Sequence, residues 1–194
     1  MKLSNQTQEQ TTKLSLHFKD LFIEQKLGRF IYDWIPIDAS EIIIICIGSD
    51  RSTGDSLGPI VGSLLAKRKQ SRFTIYGTLE NPIHALNLVD QLDIIKLRHS
   101  NAFIIAIDAC LGRSRSVGHI NASTGALKPG LAMKKDLPEV GHLNITGMVN
   151  VISSFDFLTL HNTRLHLVIQ ESEIISRALA YFEYLFSENE RLSN

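Results

Sequence analysis

Two aspartates follow the two most hydrophobic segments of the chain. Asp55 lies in the loop after residues 42–47, and Asp108 comes immediately after residues 102–107. Two carboxyl groups held side by side can share one proton, so that one activates a water molecule while the other protonates a departing amine. These residue types therefore suit the hydrolysis of a peptide bond.

The same two residues also have a purely structural interpretation. A helix N-cap would explain Asp55, and a turn after a strand would explain Asp108. Two features favour a catalytic role for the pair. Asp108 follows six apolar residues, so burial at the edge of a sheet would raise its pKa. If Asp55 lies close to it, repulsion between like charges keeps a single proton on the pair.

A metal site is the rival interpretation of the pair. Two carboxylates and a histidine form a reasonable site for a divalent ion, and the candidate histidines are His142, His84 and His119. No histidine shows a tight ligand spacing such as H-E-x-x-H. The sequence therefore predicts neither a metal ion nor another cofactor, and the metal site stays open as an alternative.

The loop of residues 48–55 does not match the common nucleotide-binding or nucleophile motifs. The phosphate-binding pattern G-x-x-x-x-G-K-[ST] needs a lysine, whereas Asp55 follows the second glycine and would repel a phosphate. The glycine intervals do not fit G-x-G-x-x-G, and G-x-S-x-G is also missing. Cys110 is more typical of a small buried residue than of a nucleophile.

Further residues are predicted to bind substrate or to support the aspartates. Backbone amides of residues 48–54 would polarise the scissile carbonyl. Asp50 and Arg51 would orient the pair or remain solvated loop charges, and Arg113 would contact the substrate or remain a surface charge. The complete set is Gly48, Asp50, Arg51, Thr53, Gly54, Asn81, Arg113, His142 and Asn144.

The hydrophobic pattern predicts helices that alternate with strands. Helices are predicted over 13–34, 56–69, 81–97, 144–158 and 173–186, and strands over 42–47, 73–79, 102–107, 117–122 and 165–169. This alternation predicts a single three-layer α/β/α domain with a largely parallel sheet over residues 13–194, after a flexible N-terminus at 1–12. Such sheets bind ligands at the carboxyl ends of their strands, where both aspartates fall.

Charge and hydropathy exclude some classes of function. Twenty basic residues balance twenty acidic residues in a chain of 194, which argues against a general nucleic-acid binder or an anionic-membrane binder. No apolar run reaches the length of a membrane span, and the N-terminus has no apolar signal core. A cytoplasmic protein with reduced cysteines is therefore expected.

Five segments of the chain resemble the YyaC family of sporulation proteins. They are CIGSDRSTGDSLGP, YGTLENPIHALNL, AIDACLGRSRSVGHI, LKPG and LPEVGHLNITGMVNV, and they lie between residues 42 and 167. That family is similar in turn to the spore germination protease, an atypical aspartic endopeptidase that degrades small acid-soluble spore proteins. It is more distantly similar to the hydrogenase maturation endopeptidases.

The resemblance implies a role for the two aspartates. The germination protease uses the aspartates of T-x-D-x-L-G-P and I-D-A as its catalytic pair, and here these motifs carry Asp55 and Asp108. It also implies the phosphorylase/hydrolase-like α/β fold, a protein or peptide substrate such as small acid-soluble spore proteins, self-association, and a place in the forespore or spore core. Two other functions stay open: a non-catalytic binding or regulatory sporulation protein, and a metal-dependent processing peptidase.

Overall fold

The computed structural model describes residues 12–36, 39–68, 71–130 and 137–193. Its strands are β1 (Lys13–His17), β2 (Ile42–Cys46), β3 (Phe73–Tyr76), β4 (Phe103–Gly112), β5 (His119–Thr124) and β6 (Leu143–Val151). Its α-helices are α1 (Ile23–Trp34), α2 (Leu57–Ala66), α3 (Leu88–Arg98), α4 (Asp156–His161) and α5 (Leu165–Ser193). None of these helices combines the length and the apolarity needed to cross a bilayer.

The strands form one sheet in the order β1-β5-β6-β4-β2-β3. Strands β3, β2, β4 and β6 run parallel to one another, whereas β5 and β1 are antiparallel additions at one edge. Every residue of β2 is buried, as expected for a parallel strand that is covered on both faces. The predicted α/β class with a largely parallel sheet is confirmed.

Helices cover both faces of this sheet. Successive side chains of a strand point to opposite faces, and in β2 Ile42, Ile44 and Cys46 belong to the core beneath α1, α2 and α5. Ile43 and Ile45 belong to a second core on the other face, which includes residues of α3. The two cores produce the three-layer arrangement that the sequence predicts.

Two predicted elements have the opposite secondary structure. Residues 144–158, predicted as a helix, belong to strand β6 as far as Val151. Residues 165–169, predicted as a strand, open the 29-residue helix α5. The β-branched residues of β6 lower its helix propensity, and β6 pairs with strands on both sides. The buried residues Val168, Ser172 and Ile175 of α5 recur at helical spacing.

The N-terminal region also differs from its prediction as one helix over 13–34. Its first residues pair with β5 as the edge strand β1, and only α1 is helical. Phe22 has φ 60°, a left-handed conformation that an α-helix does not contain, so α1 begins after it. Apart from Thr12, the segment 1–12 lies outside the described residues.

Candidate active site

Strand β2 ends before its neighbour β4 at the carboxyl edge of the parallel strands. The Ile47 N–H donates to the Ile107 carbonyl at 2.7 Å, and the chain then leaves the sheet. Strand β4 continues beside β6, with Asp108 opposite Thr146. The sequence predicts that Asp108 follows the end of its strand, but Asp108 lies inside β4. The strand continues because β6 still provides hydrogen-bond partners there. At this level the loop of residues 48–55 takes the place of β2.

This loop folds back onto the end of β2. Gly48 donates its N–H to the Ile83 carbonyl at 2.7 Å, and Ser49 donates its N–H to the Asp55 carbonyl at 3.1 Å. Gly48 has φ +139°, and a Cβ at this position would lie 2.0 Å from the Asp55 carbonyl oxygen. A residue without a side chain is therefore required where the two ends of the loop meet.

Alanine at Gly48 is expected to lower the free energy of unfolding by about 3 kcal/mol, because overpacking against the backbone adds to the strain of the positive φ. Urea denaturation measures the change. Gly125→Ala is the matched control, since Gly125 also has a positive φ, +95°, but has no atom within 4 Å of its Cβ position. Its expected cost is about 1 kcal/mol. Equal costs for the two variants would contradict the close approach at Gly48.

The carboxyl group of Asp108 is held in an environment that favours its protonated form. Asp108 is 8% exposed. Burial raises its pKa well above the ordinary value, and the negative charge of Asp55 raises it further. The Ala109 N–H, which donates to Asp108 Oδ1 at 2.8 Å, acts in the opposite direction. The first two effects prevail.

Asp55 has a more balanced environment. Burial raises its pKa, whereas the Ser49 backbone amide, His84 and His161 all lower it. The pKa of Asp55 is therefore raised, but by less than that of Asp108. Two interacting carboxyl groups with unlike environments divide the roles of acid and base. Asp108 suits the acid, and Asp55 suits the carboxylate that acts as base.

Cys110 is poorly suited to act as a nucleophile. It lies on the same face of β4 as Asp108. Burial raises the pKa of its thiol, and the charge of Asp108 raises it further. Its Sγ donates to the Leu111 carbonyl at 3.4 Å. Because nucleophilic attack needs the thiolate, this environment opposes it.

His84 and His161 lower the pKa of Asp55, a role for which the sequence contains little signal. The sequence identifies His84 only as a candidate metal ligand and draws no attention to His161. His161 reaches the site because α4 packs against the loop, and no local pattern encodes that contact. Across the described ranges, no three His, Cys, Asp or Glu side chains are grouped so that they could hold a metal ion.

The other predicted residues of the loop differ in their surroundings. Asp50 and Arg51 are exposed. The Thr53 carbonyl accepts a hydrogen bond of 2.7 Å from a serine hydroxyl three residues later. Gly54 is buried, and a Cβ there would lie 2.9 Å from Leu160 Cδ2. Thr53 and Gly54 thus shape the loop, while the two charged side chains are in contact with solvent.

The backbone amides at the start of the loop are already used within the protein. Gly48 donates to Ile83, and Ser49 donates to Asp55. Arg51 donates to Ser49 Oγ at 3.2 Å. The prediction that loop amides polarise a substrate carbonyl is therefore wrong for these three groups, because the fold of the loop itself requires them.

Asn81 and Arg113 shape two separate turns. Asn81 exchanges hydrogen bonds with Thr78: its carbonyl accepts the Thr78 N–H at 3.1 Å, and its N–H donates to Thr78 Oγ1 at 3.1 Å. Arg113 is exposed directly after β4, and its carbonyl accepts the Ser116 N–H at 2.8 Å. A contact of either side chain with substrate stays a prediction.

His142 lies toward the opposite end of the strands from the aspartates, and Asn144 lies opposite Ala106, two residues before Asp108. The His142 N–H donates to the Ile104 carbonyl at 2.8 Å, and His142 Nδ1 accepts the Ile104 N–H at 3.0 Å. Ile104 precedes Asp108 by four residues, about 13 Å along a strand. Asn144 Oδ1 accepts the Ser123 hydroxyl at 3.0 Å. The structure does not bring either residue to the pair: the strand that follows His142 separates it from this edge, and the Asn144 amide group is used on the other side, where its Nδ2 also donates to the Gly125 carbonyl at 3.0 Å.

The sequence comparison with a curated protein agrees with the resemblance seen in the sequence. The chain is 47% identical over 152 residues to "Uncharacterized protein YyaC" from Bacillus subtilis (strain 168), which covers 78% of this chain and 74% of that protein. A [NiFe] hydrogenase maturation protease, HycI from Thermococcus kodakarensis KOD1, aligns with 77% of this chain and 98% of its own at 13% identity and a TM-score of 0.45.

The family assignment rests on the sequence comparisons. The profile described as "Protein of unknown function (DUF1256)" matches residues 15–178, which include both aspartates and both histidines of the site. The resemblance to the YyaC family is thereby confirmed. The chain belongs to the DUF1256 family.

Proposed function

We propose that this chain is an endopeptidase in which Asp55 and Asp108 share one proton and activate a water molecule. The observation that supports this function is the place of Asp108. Its carboxyl group is buried inside a parallel strand at the carboxyl edge of the sheet, and its pKa is raised by burial and by the charge of Asp55. Carboxyl groups perturbed by burial and by a specific charged neighbour cluster at active sites.

In the proposed reaction, the Asp55 carboxylate accepts a proton from water while the water oxygen bonds to the carbonyl carbon of the scissile peptide. Asp108, as a carboxylic acid, donates its proton to the departing nitrogen as the C–N bond breaks. Asp55 is then protonated and Asp108 is ionised. Return of the proton to Asp108 restores the pair, and the products are a carboxylic acid and an amine.

The surface beside the pair has properties that suit a peptide. Phe155, Phe157 and Leu158 are 71%, 57% and 55% exposed, and they lie at the start of the helix that ends in His161. Exposed apolar groups next to a polar centre are typical of sites that bind side chains of a partner. This surface would contact apolar residues of the substrate on one side of the scissile bond.

The proposed substrates are proteins of the spore. Small acid-soluble spore proteins are the first candidates, because the motifs that carry the two aspartates resemble those of the protease that degrades these proteins. The proposal places the activity in the forespore or spore core, and self-association belongs to the same proposal.

Digestion of purified small acid-soluble spore proteins, with and without a chelator, tests the function. The wild type is expected to cleave them in both conditions. Asp55→Asn and Asp108→Asn are expected to lower the rate by about 10²–10⁴-fold, the contribution of a positioned acid or base. Asp93→Asn, an exposed aspartate of α3, is the control and is expected to retain the wild-type rate.

Two other outcomes would overturn this proposal. Loss of cleavage in the chelator would assign the reaction to a metal-dependent peptidase. If the wild type cleaves no spore protein, and cells that carry both asparagine substitutions sporulate and germinate normally, the family fold serves a binding or regulatory role without catalysis.

A further inference from the structure

Two histidines lie on separate segments that contact the loop of Asp55, and main-chain contacts hold the first of them in place. His84 follows Ile83, which forms a parallel bridge with Ile47. The Ile83 carbonyl also accepts the Gly48 N–H at 2.7 Å. The main chain next to His84 is thereby attached to the first residue of the loop that carries Asp55.

Local hydrogen bonds also orient the ring of His84. Its Nδ1 accepts the Leu86 N–H at 3.3 Å, and its own backbone N–H donates to Asn87 Oδ1 at 2.8 Å. Asn87 Nδ2 donates in turn to the Pro82 carbonyl at 3.0 Å. A neutral imidazole whose Nδ1 accepts carries its proton on Nε2. The ring therefore presents its Nε2–H group to its surroundings.

The second histidine, His161, is held by the packing of α4 on the same loop. A Cβ at Gly54 would lie 2.9 Å from Leu160 Cδ2 and 2.8 Å from Thr163 Oγ1, so the end of α4 is in direct contact with the residue before Asp55. His161 is the residue between Leu160 and the turn at the end of α4. Its ring lies edge-on against Phe157, with the ring centroids 4.4 Å apart.

Asp55 is thus electrostatically coupled to titratable groups from three parts of the fold. Strand β4 presents Asp108, the segment after β3 presents His84, and α4 presents His161. The charge of Asp55 opposes the ionisation of Asp108, whereas the two histidines favour the ionisation of Asp55. The remaining charged residues of the loop are exposed: Asp50 and Arg51.

We propose that His84 and His161 are positioning residues of the aspartate pair, which hold Asp55 as the carboxylate and so leave the shared proton on Asp108. The catalytic part of this inference rests on the proposed function. The electrostatic part does not, because the ionisation of Asp55 can be measured without a substrate.

The two histidines should contribute differently at high ionic strength. His161 is exposed and His84 is half-buried. Salt screens exposed charges strongly and buried charges weakly. In about 1 M salt, the effect of His161 on Asp55 is expected to diminish while that of His84 persists.

Carbon-13 NMR of the full-length protein, labelled at the aspartate carboxyl carbons, tests the inference directly. The Asp55 signal is the one that disappears in Asp55→Asn. Its titration midpoint is expected to move to higher pH in His84→Gln and in His161→Gln, and furthest in the double variant. His166→Gln removes an exposed histidine of α5 and is the matched control, for which the midpoint is expected to stay at the wild-type value.

Enzyme kinetics provide the second measurement. The acidic limb of the kcat/KM profile is expected to move to higher pH in the same order as the Asp55 midpoint, with KM nearly constant. An unchanged midpoint in the folded double variant overturns the inference, whether or not the wild type cleaves peptides. If the midpoint moves but the protein has no peptidase activity, the electrostatic role of the histidines stands and only the proposed function is wrong.

Discussion

Asparagine in place of Asp108 is expected to stabilise the protein at neutral pH while it removes peptide cleavage. Burial of Asp108, and secondly the charge of Asp55, raise the pKa of this carboxyl group. Asparagine has nearly the same shape, and its Oδ1 can still accept the Ala109 N–H. Its amide group can also donate toward Asp55. The expected gain in the free energy of unfolding is about 0.5–2 kcal/mol, as for other substitutions that relieve a destabilised active site.

The raised pKa determines how this gain depends on pH. A carboxyl group with a higher pKa in the folded state than in the unfolded state binds its proton more tightly when folded. The wild type therefore loses stability as the pH rises from the ordinary aspartate pKa toward the higher folded value. Asp108→Asn lacks this loss. The difference between the two proteins should be negligible near about pH 3 and should grow toward neutral pH.

Urea denaturation at several pH values measures this difference. Asp93→Asn, on the exposed face of α3, is the control and is expected to follow the wild-type curve. A variant at Asp108 that is less stable than the wild type at neutral pH would mean that the buried carboxyl group contributes to the fold. The interpretation of Asp108 as a group retained for chemistry would then be wrong.

The position of the site could be predicted because it depends on local patterns. Residues 42–47 and 102–107 are continuous apolar runs, which identify parallel strands buried on both faces. The carboxyl ends of neighbouring parallel strands meet at one edge of a sheet. Asp55 and Asp108 are therefore assigned to the same edge without knowledge of any contact between helices.

The remaining parts of the site could not be predicted because they depend on packing. Residues 144–151 contain β-branched residues and a glycine, and only their pairing with strands on both sides decides that they form β6. That strand removes His142 and Asn144 from the carboxyl edge. The approach of His161 depends on the contact between α4 and Gly54, which links residues about a hundred positions apart and leaves no trace in local periodicity.

Glu171 of α5 is a fully buried carboxyl group on the other face of the sheet from Asp108. It is 0% exposed, and within the described residues neither carboxyl oxygen has a hydrogen-bond partner. A Cβ at Gly147 of β6 would lie 2.5 Å from Glu171 Oε2, so the missing side chain makes room for the carboxyl group. Burial raises the pKa of Glu171 to about 8, and the group is therefore neutral at pH 7.

Replacement of Glu171 by glutamine is expected to remove a large pH dependence of stability. In the wild type, Glu171 ionises above pH 4.5 in the unfolded chain, whereas in the folded protein it keeps its proton up to about pH 8. The contribution of Glu171 to stability is therefore highest below pH 4.5 and falls through this interval. At about 1.4 kcal/mol for each pH unit, the total loss is about 5 kcal/mol, a large part of the stability of a typical domain.

The glutamine variant and the wild type should therefore exchange their order of stability within this interval. At low pH, the variant is expected to be less stable by about 1–3 kcal/mol, because its amide leaves two N–H donors without partners where the protonated carboxyl group leaves one O–H donor. Near pH 8 it is expected to be the more stable protein, since it has no proton to retain. Glu173→Gln, at a partly exposed glutamate of the same helix that pairs with Arg177 at 3.4 Å, is the control and should keep the wild-type slope. Parallel stability curves for Glu171→Gln and wild type between pH 4.5 and pH 8 would show that Glu171 is ionised in the folded protein. An ionised Glu171 would need a partner for its charge, and its buried position on α5 against β6 does not provide one.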